Sequence, residues 1–252
     1  MQKIALVTGG ARGIGASVCK KLGECGYFVY VNCRKTSCDA EQLLTEIRNA
    51  GGDGAILEFD VKETEQIAKA VELMKHDRLD LLMNNAGVLR DNLVYQISDE
   101  DWNNIITTNA IGIFNVFEGF KSKLINSAQP TVISMGSISA LYPRKGQAAY
   151  SASKAMVIEW TKQMAGFEEY KRINFYSISP GPVATDMIKQ TVWYNEPEKL
   201  KSIPMGRYAE PEEVAQLVSF LSNNSGVFKN GSNIVFDGGG IQPVYNQKSK
   251  IR

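Results

Sequence analysis

The amino-acid sequence predicts an α/β fold in which one doubly wound parallel sheet of about seven strands carries helices on both faces. Two observations support this prediction. Short apolar runs of strand length alternate with amphipathic segments of helix length along the 252 residues, and neither a linker nor an internal repeat interrupts them. The first apolar run also passes through a glycine-rich turn directly into a helical pattern. Such alternation favours parallel strands joined by helical crossovers.

The individual elements follow from the apolar pattern in chain order. The predicted strands are Ile4–Val7, Tyr27–Val31, Ala55–Phe59, Leu79–Met83, Thr131–Met135, Ile173–Ile178 and Asn233–Phe236. The predicted helices are Ala16–Glu24, Asp39–Ala50, Glu63–Lys75, a long one near Trp102–Leu124, Ala149–Phe167 and Glu212–Leu221. We expect a single domain over residues 1–245, with a lid at about 182–204 where periodicity is lost, and a polar tail at 246–252.

A glycine-rich turn, Thr8-Gly-Gly-Ala-Arg-Gly-Ile-Gly15, joins the first strand to the first helix. This order of strand, turn and helix opens a Rossmann-type dinucleotide-binding unit. The glycines allow the backbone to approach a pyrophosphate, and the helix offers unpaired N–H groups at its N-terminus. We therefore expect the turn to hold a dinucleotide through Gly9, Gly10, Ala11, Arg12, Gly13, Ile14 and Gly15.

The composition argues against several classes of function. Hydrophobic residues make up 44% and charged residues 22% of the chain, and the net charge of +1 indicates neither a nucleic-acid nor a membrane partner. No apolar run approaches the roughly 20 residues that cross a bilayer, and no basic-then-apolar leader precedes the first strand, so we expect a cytoplasmic protein. The four cysteines lack zinc-site spacing, so no metal is expected. The only histidine, His76, lies in a polar string, which argues against an imidazole-based hydrolase.

A tyrosine and a lysine, Tyr150 and Lys154, lie one turn apart on the same face of a predicted helix. An ammonium near a phenol favours the phenolate and lowers its pKa towards neutrality, so that the tyrosine can exchange a proton with a carbonyl oxygen. Ser137 follows the predicted strand Thr131–Met135 and can place a hydroxyl beside the same carbonyl. Without the serine, the pair would be more typical of an ordinary exposed helix surface.

Four motifs occur in order along nearly the whole chain. They are the glycine-rich turn, Asn84-Asn-Ala-Gly87, Ser137 with Tyr150-x-x-x-Lys154, and Pro180-Gly181 with Thr185. With these motifs on matching secondary structure, the sequence resembles the short-chain dehydrogenase/reductase family.

The resemblance implies a catalytic role for four residues, while the cofactor carries the hydride. Tyr150 would be the general acid in reduction, and Ser137 would hydrogen-bond the substrate carbonyl. Lys154 would lower the pKa of the tyrosine and hold the nicotinamide ribose. Asn109 aligns with the family's residue that anchors a water relaying protons to the lysine. By itself this asparagine would be interpreted as an ordinary polar helix residue or a kink.

The choice of nicotinamide cofactor depends on the end of the second predicted strand. Folds of this type that bind NAD place an acidic residue there, on the ribose 2′-hydroxyl. Here the segment Val31-Asn-Cys-Arg-Lys35 has no carboxylate and ends in two cations, and Arg12 in the glycine turn is a third. These cations predict NADP(H), because they can bind a 2′-phosphate. The alternative is that Arg34 and Lys35 are solvated loop charges.

The resemblance extends the predicted cofactor site beyond the glycine turn. It adds Asn32, Cys33, Arg34, Asp60, Val61, Asn85, Ala86, Gly87, Tyr150, Lys154, Pro180, Gly181, Val183 and Thr185. Asp60 and Val61 resemble the family's adenine contact, and Asp60 can also be the N-cap of the next helix.

Several segments resemble one subgroup of the family, the 3-oxoacyl-[acyl-carrier-protein] reductases. They are Asn84–Leu93, Asp101-Trp102, Thr185-Asp-Met187, Pro204-x-Gly-Arg207 and Gly238-Gly239. The resemblance implies NADPH-dependent reduction of a 3-oxoacyl thioester on an acyl-carrier protein, in fatty-acid or polyketide/aryl-polyene-type biosynthesis, by a homotetramer. A carrier protein is acidic and needs cations near the active-site mouth. The candidate cations, which are equally well explained as solvated charges, are Lys121, Lys123, Lys171 and Arg172.

Two departures leave the substrate open. Tyr176 replaces an asparagine that usually precedes the Pro-Gly motif, and the lid carries Trp193-Tyr194 in place of small polar residues. Two aromatic rings can stack on a flat acyl group, close an apolar pocket or pack against another subunit. The alternative function is an NADP-dependent carbonyl reductase or alcohol dehydrogenase of a free small molecule. A non-catalytic nucleotide-sensing protein of the same fold is a third.

Overall fold

The centre of the protein is one parallel sheet of seven strands, within a computed structural model that describes residues 2–189, 194, 200–201 and 203–240. The strands are β1 (Ile4–Val7), β2 (Phe28–Cys33), β3 (Asp53–Glu58), β4 (Leu81–Asn84), β5 (Thr131–Met135), β6 (Asn174–Pro180) and β7 (Asn233–Phe236). Their order across the sheet is β3-β2-β1-β4-β5-β6-β7. The predicted doubly wound α/β fold is therefore confirmed.

Helices cover both faces of the sheet. They are α1 (Gly13–Glu24), α2 (Cys38–Asn49), α3 (Thr64–Leu73), α4 (Asp99–Ile106), α5 (Gly112–Ile125), α6 (Ala148–Met164), α7 (Asp186–Lys189) and α8 (Pro211–Asn223). Within the described ranges, none of the helices is long and apolar enough to cross a membrane. The predicted tail at 246–252 lies outside the described residues, and so do residues 190–193, 195–199 and 202 of the predicted lid.

Side chains alternate between the two faces of the central strands. In β1, Ala5 and Val7 enter the core that α1, α2 and α8 cover. Ile4 and Leu6 enter the opposite core, beneath α3 and α5. Because both faces are covered, the central strands are apolar at almost every position, as is usual in parallel sheets.

Three strands extend further at their carboxyl ends than the apolar pattern predicts. β2 continues through Cys33, β4 through Asn84 and β6 through Pro180. The ladder stays in register over these residues, with Asn84 opposite Ser134. Polar residues and proline carry no apolar signal, so the sequence could not indicate that the sheet reaches this far towards the predicted site.

The predicted long helix near 102–124 consists of three connected segments. α4 begins earlier, at Asp99, because the Ser98 side chain accepts a hydrogen bond from the Asp101 N–H at 3.1 Å and caps the helix. A π-helical turn, Thr107–Ile111, separates α4 from α5 and contains the buried Asn109. Turns of this kind occur frequently at functional sites.

The strand order reverses between β1 and β4, where the chain leaves β1 towards one edge of the sheet and continues from β4 towards the other. The connections that follow these two strands diverge, and a crevice opens at their carboxyl ends. The glycine-rich turn follows β1, and the segment Asn85–Gly87 follows β4. The fold thus brings two of the predicted motifs to the same crevice.

Candidate active site

Two loops at the crevice are joined by reciprocal hydrogen bonds. The Thr8 hydroxyl accepts from the backbone N–H groups of Asn85 (2.9 Å) and Ala86 (3.1 Å). In return, the Asn85 side-chain amide donates to the carbonyl oxygens of Thr8 and Gly9, each at 3.0 Å. These bonds hold the predicted cofactor-binding segments after β1 and β4 in one arrangement.

The glycine-rich turn forms a cradle in which side chains do not fit. A Cβ on Gly15 would lie 2.3 Å from the Gly9 carbonyl oxygen, and Gly13 adopts a φ of +54°. A Cβ on Gly13 would lie 3.4 Å from the Thr185 methyl group, which places the segment after β6 across the turn. Arg12 precedes α1 without capping it, so the first N–H groups of the helix are free of a side-chain cap. The cradle therefore fits a pyrophosphate. The other turn residues, Ala11 and Ile14, are half-buried.

Asn32, which was predicted to contact the cofactor, is instead bonded within the protein. Its Oδ1 accepts from the Gly9 N–H at 3.1 Å, and its backbone carbonyl accepts from the Gly10 N–H at 2.8 Å. Its side-chain amide donates to the carbonyl oxygens of Leu57 (3.1 Å) and Phe59 (3.0 Å). Only 2% of Asn32 is exposed. The residue therefore supports the glycine turn from beneath.

The end of β2 carries the residues predicted to choose between the two nicotinamide cofactors. Arg34 and Lys35 are exposed, whereas Cys33 is buried and burial raises the pKa of its thiol. Glu58 was not predicted to belong to this region; its carboxylate accepts from the N–H and hydroxyl of Thr36 at 2.8 and 2.9 Å. These bonds hold the pKa of Glu58 below its ordinary value. Pairing of β2 with β3, which sets Cys33 opposite Glu58, would have been the signal.

The predicted adenine-binding segment follows β3. Asp60 is half-buried, and its Oδ1 accepts from the Lys62 N–H at 3.0 Å. The suggestion that Asp60 caps the next helix is wrong, because the N-cap of α3 is Glu63. Val61 is 5% exposed and packs close to Gly112, where a Cβ would lie 2.7 Å from a Val61 methyl group.

The segment after β6 is fixed to the last strand and to the chain before α8. The Gly181 N–H donates to the Phe236 carbonyl at 2.8 Å, and a Cβ on Gly181 would lie 3.0 Å from the Cα of Asp237. Val183 is buried and forms a parallel bridge with Ala209. The segment that holds Pro180, Gly181, Val183 and Thr185 is therefore supported by the last strand and by the chain before α8.

Ser137 and Tyr150 are brought together at the carboxyl end of β5. Ser137 is buried, and its hydroxyl oxygen accepts from the Ser139 N–H at 3.1 Å. Burial raises the pKa of Tyr150 to about 12, a hydrogen bond with Ser137 acts in the opposite direction, and the charge of Asp91 raises it further. The predicted hydroxyl pair is therefore present, with the tyrosine in its neutral form.

Lys154 is buried beside the same tyrosine. Only 3% of the residue is exposed, and its Nζ lies 5.8 Å from the centre of the Tyr150 ring. The Nζ donates to the Met135 carbonyl at 2.6 Å, and burial lowers the lysine pKa to about 8. The expectation that the ammonium brings the Tyr150 pKa towards neutrality is not met by the protein's own groups, because burial of the phenol raises its pKa.

Asn109 ties the π-helical turn to the segment after β4 and to α6. Its Oδ1 accepts from the Val88 N–H at 2.8 Å, and its amide donates to the Val88 carbonyl at 2.9 Å. The amide also donates to the Ser153 hydroxyl at 3.2 Å, which in turn donates to the Tyr150 carbonyl at 2.7 Å. Gly87 packs against Asn109, whose Oδ1 would lie 3.3 Å from a Cβ there. Both amide protons and one lone pair of Oδ1 are therefore used in holding together the elements that carry the site.

The two sequence departures have different outcomes. Tyr176 is completely buried, and its hydroxyl donates to the Phe228 carbonyl at 3.3 Å and accepts from the Gly226 N–H at 3.1 Å. It is therefore a core residue. Trp193 lies outside the described residues. Tyr194 stacks on Tyr208 with ring centres 5.1 Å apart, and the Tyr208 hydroxyl donates to the Tyr194 carbonyl at 3.0 Å.

The cations proposed to meet a carrier protein do not lie at the crevice of the same chain. Lys123 donates to the His76 carbonyl at 2.8 Å, and Arg172 donates to the Ser127 carbonyl at 3.2 Å. These contacts lie before the starts of β4, β5 and β6, at the amino edge of the sheet. Lys121 and Lys171 pair with glutamates three residues before them on their own segments. Their placement near the crevice was therefore wrong.

Comparison with known proteins finds relatives over almost the full length. The model of the short chain dehydrogenase family matches residues 3–194. A 3-oxoacyl-[acyl-carrier-protein] reductase FabG of Staphylococcus aureus is 31% identical over 241 residues, covering 95% of this chain and 98% of that protein. A 3-oxoacyl-[acyl-carrier-protein] reductase of Synechocystis sp. is 32% identical over 240 residues, covering 94% and 96%. The crystal structure of gox2181 has a TM-score of 0.87 at 27% identity and covers 95% of both chains.

Proposed function

The chain belongs to the short-chain dehydrogenase family, and on that premise we propose that it is an NADPH-dependent reductase of 3-oxoacyl thioesters on an acyl-carrier protein. The product would be the 3-hydroxyacyl thioester of fatty-acid or polyketide/aryl-polyene-type biosynthesis. One observation carries the reaction: the hydroxyls of Ser137 and Tyr150 interact with one another beside the buried Lys154, whose Nζ lies 5.8 Å from the centre of the Tyr150 ring. Similarity to reductases of that name over almost the whole chain supports the substrate class.

The chain's own residues handle the carbonyl oxygen and its proton. NADPH, when bound, supplies the hydride. Ser137 hydrogen-bonds the oxygen, and Tyr150 gives it a proton, because a phenol with a pKa near 12 is protonated at neutral pH. Lys154, with a pKa of about 8, carries a positive charge at neutral pH and stabilises the phenolate that remains. Asn109 would hold a proton-relaying water close to the lysine.

The preference for NADPH over NADH is supported by charge at the end of β2. Arg34 and Lys35 are exposed there, and Arg12 lies in the exposed part of the glycine turn. The nearby Glu58 accepts two hydrogen bonds from Thr36, so part of its charge is already satisfied within the loop. A 2′-phosphate would meet cations with donors free to bind it.

A homotetramer formed through α5 and α6 completes the proposal. Exposed apolar side chains on both helices support it, since Phe114 is 50% and Met156 48% exposed. Light scattering on the purified protein should give four times the 27.8 kDa of one chain. A monomer would contradict this part of the proposal without affecting the proposed reaction.

A substrate panel tests the proposed reaction. NADPH oxidation is followed with acetoacetyl-carrier protein, with the same acyl group on a small thiol, and with free ketones and sugars. We expect the carrier-bound thioester to give a kcat/KM at least about tenfold above that of any free ketone. A preference for free ketones would favour the carbonyl reductase or alcohol dehydrogenase. Cofactor binding without turnover of any substrate would favour a nucleotide-sensing protein.

A further inference from the structure

A series of hydrogen bonds connects Ser137, the predicted catalytic serine, to the carboxylate of Asp91, which was not predicted to be part of the site. The Ser137 oxygen accepts from the Ser139 N–H at 3.1 Å, and the Ser139 hydroxyl donates to Gln147 Oε1 at 2.9 Å. The Gln147 amide donates to both carboxylate oxygens of Asp91, at 3.3 and 3.2 Å. Ser139 and Gln147 are 6% and 7% exposed. We refer to Asp91, Gln147 and Ser139 as the relay.

The chemistry of these groups sets the direction of every bond in the relay. An ionised carboxylate can only accept, so the NH₂ group of Gln147 must face Asp91 and its oxygen must face Ser139. The Ser139 hydroxyl must then donate to Gln147. Because the Ser139 N–H donates to the Ser137 oxygen, that oxygen already acts as an acceptor on this side. The Ser137 proton is therefore directed away from the relay, towards Tyr150 and the crevice.

The segment that carries Asp91 is anchored on both sides of it. Val88 is held by both side-chain atoms of Asn109, at 2.8 and 2.9 Å. The Asn92 N–H donates to the Gly146 carbonyl at 2.8 Å, one residue before Gln147. The carboxylate consequently has a defined position relative to α6, although its segment is neither helix nor strand.

We propose that the relay is a positioning device for the reduction. It holds the Ser139 backbone N–H against the Ser137 oxygen, which leaves the Ser137 proton for the reacting carbonyl, and it fixes a negative charge at Gln147, the N-cap of the helix that carries Tyr150. This inference rests on the proposed function. Among the residues that the structure describes, the charged groups that face Tyr150 are Asp91 from the segment after β4 and Lys154 from α6, and Asp91 itself faces Arg144. Lys154 favours the phenolate and Asp91 favours the phenol. The relay thus keeps the tyrosine in its proton-donating form up to a higher pH.

Two substitutions separate the effect of the hydrogen bonds that position Ser137 from the effect of the Asp91 charge. Asp91→Asn keeps an acceptor oxygen for Gln147 and removes the charge. We expect the alkaline limb of the kcat/KM profile for ketone reduction to move down by about 0.5 to 1 pH unit, since loss of a nearby negative charge favours the deprotonated forms of both Lys154 and Tyr150. Gln147→Leu keeps the charge of Asp91 and removes the hydrogen bonds that Gln147 makes with Asp91 and with Ser139. We expect kcat to fall about 10- to 100-fold while the Kd for NADPH stays within about twofold.

Matched controls and one combined variant complete the experiment. Gln163→Leu, on the exposed face of the same helix, and Asp99→Asn, in the first turn of α4, should leave the profile and kcat unchanged. Ser139→Ala combined with Gln147→Leu should be no slower than Gln147→Leu alone, because both act through one series of bonds. The idea is refuted if Gln147→Leu keeps wild-type kcat, or if Asp91→Asn keeps the wild-type limb. A wild-type protein that reduces no ketone would instead refute the proposed function.

Discussion

Replacing Lys154 by methionine should make the folded protein more stable near neutral pH while abolishing its activity. The lysine is 3% exposed, and the protein offers its ammonium one carbonyl, that of Met135. Folding therefore removes the charge from water with little compensation. Methionine has a similar length, fills the same space and carries no charge.

The size of the effect follows from the lysine pKa. Burial lowers it from 10.5 to about 8, which corresponds to a destabilisation of about 3.4 kcal/mol at about 1.36 kcal/mol for each pH unit. The substitution leaves the Met135 carbonyl without its donor, which offsets about 1 to 3 kcal/mol. A net stabilisation of about 0.5 to 2.5 kcal/mol is expected, equivalent to about 1 to 10 °C in Tm for a chain of this length.

The pH dependence distinguishes this cause from ordinary repacking. Below about pH 8 the lysine is protonated in both the folded and the unfolded states, so the penalty is fully present. Between about 8 and 10.5 only the unfolded state holds the proton, so the wild type gains stability as pH rises. The advantage of the variant in urea unfolding should therefore shrink from about pH 7 to about pH 9.5.

An exposed lysine on the same helix provides the control for Lys154→Met. Lys162 has a 68% exposed side chain and pairs with Glu159 at 3.6 Å, so Lys162→Met should change stability by less than about 1 kcal/mol. The reasoning fails if Lys154→Met is less stable than the wild type near pH 7. It also fails if the difference between the two proteins does not depend on pH.

Three further predictions address the cofactor and the proton donor. Gly15→Ala should weaken NADPH binding in calorimetry by at least about tenfold, because a Cβ there would lie 2.3 Å from the Gly9 oxygen. Gly166→Ala is its control, and equal affinities would contradict the cradle. Arg34→Ala should weaken NADPH binding about tenfold and NADH binding by less than about twofold; equal losses would exclude a 2′-phosphate contact. Tyr150→Phe should lower kcat at least about 100-fold at unchanged Kd for NADPH, and retained turnover would show that another group is the acid.

Local spacing made the fold and the candidate catalytic residues predictable from the sequence. The glycine turn and the Tyr150-Lys154 pair lie within single short segments, so their residue types alone indicate their geometry. The alternation of strands and helices then determines that these segments meet at the carboxyl edge of one sheet. The order of strands in the structure places Ser137 beside Tyr150, as expected.

Contacts between distant segments could not be predicted in the same way. Glu58 reaches Thr36 only because β3 pairs with β2, and Asp91 reaches Gln147 across two loops. The raised pKa of Tyr150 is also due to burial, which the spacing of residues in the sequence does not indicate. The predicted placement of the cations near 121–123 and 171–172 was wrong because these residues lie on segments that lead into the amino ends of β5 and β6. The crevice lies at the carboxyl ends of the strands.

Asn32 marks the boundary between a buried, hydrogen-bonded part of the predicted nucleotide site and an exposed loop, 34–36, whose residues can be substituted more freely. Its side-chain amide group joins the glycine turn to the backbone within and just after β3, so a substitution there would disturb the turn, β2 and β3 at once. Arg34, Lys35 and Thr36 lie just beyond it, outside this set of bonds. If loop 34–36 contacts the cofactor as proposed, its residues can be exchanged to alter cofactor preference while the hydrogen bonds of Asn32 beneath it stay intact.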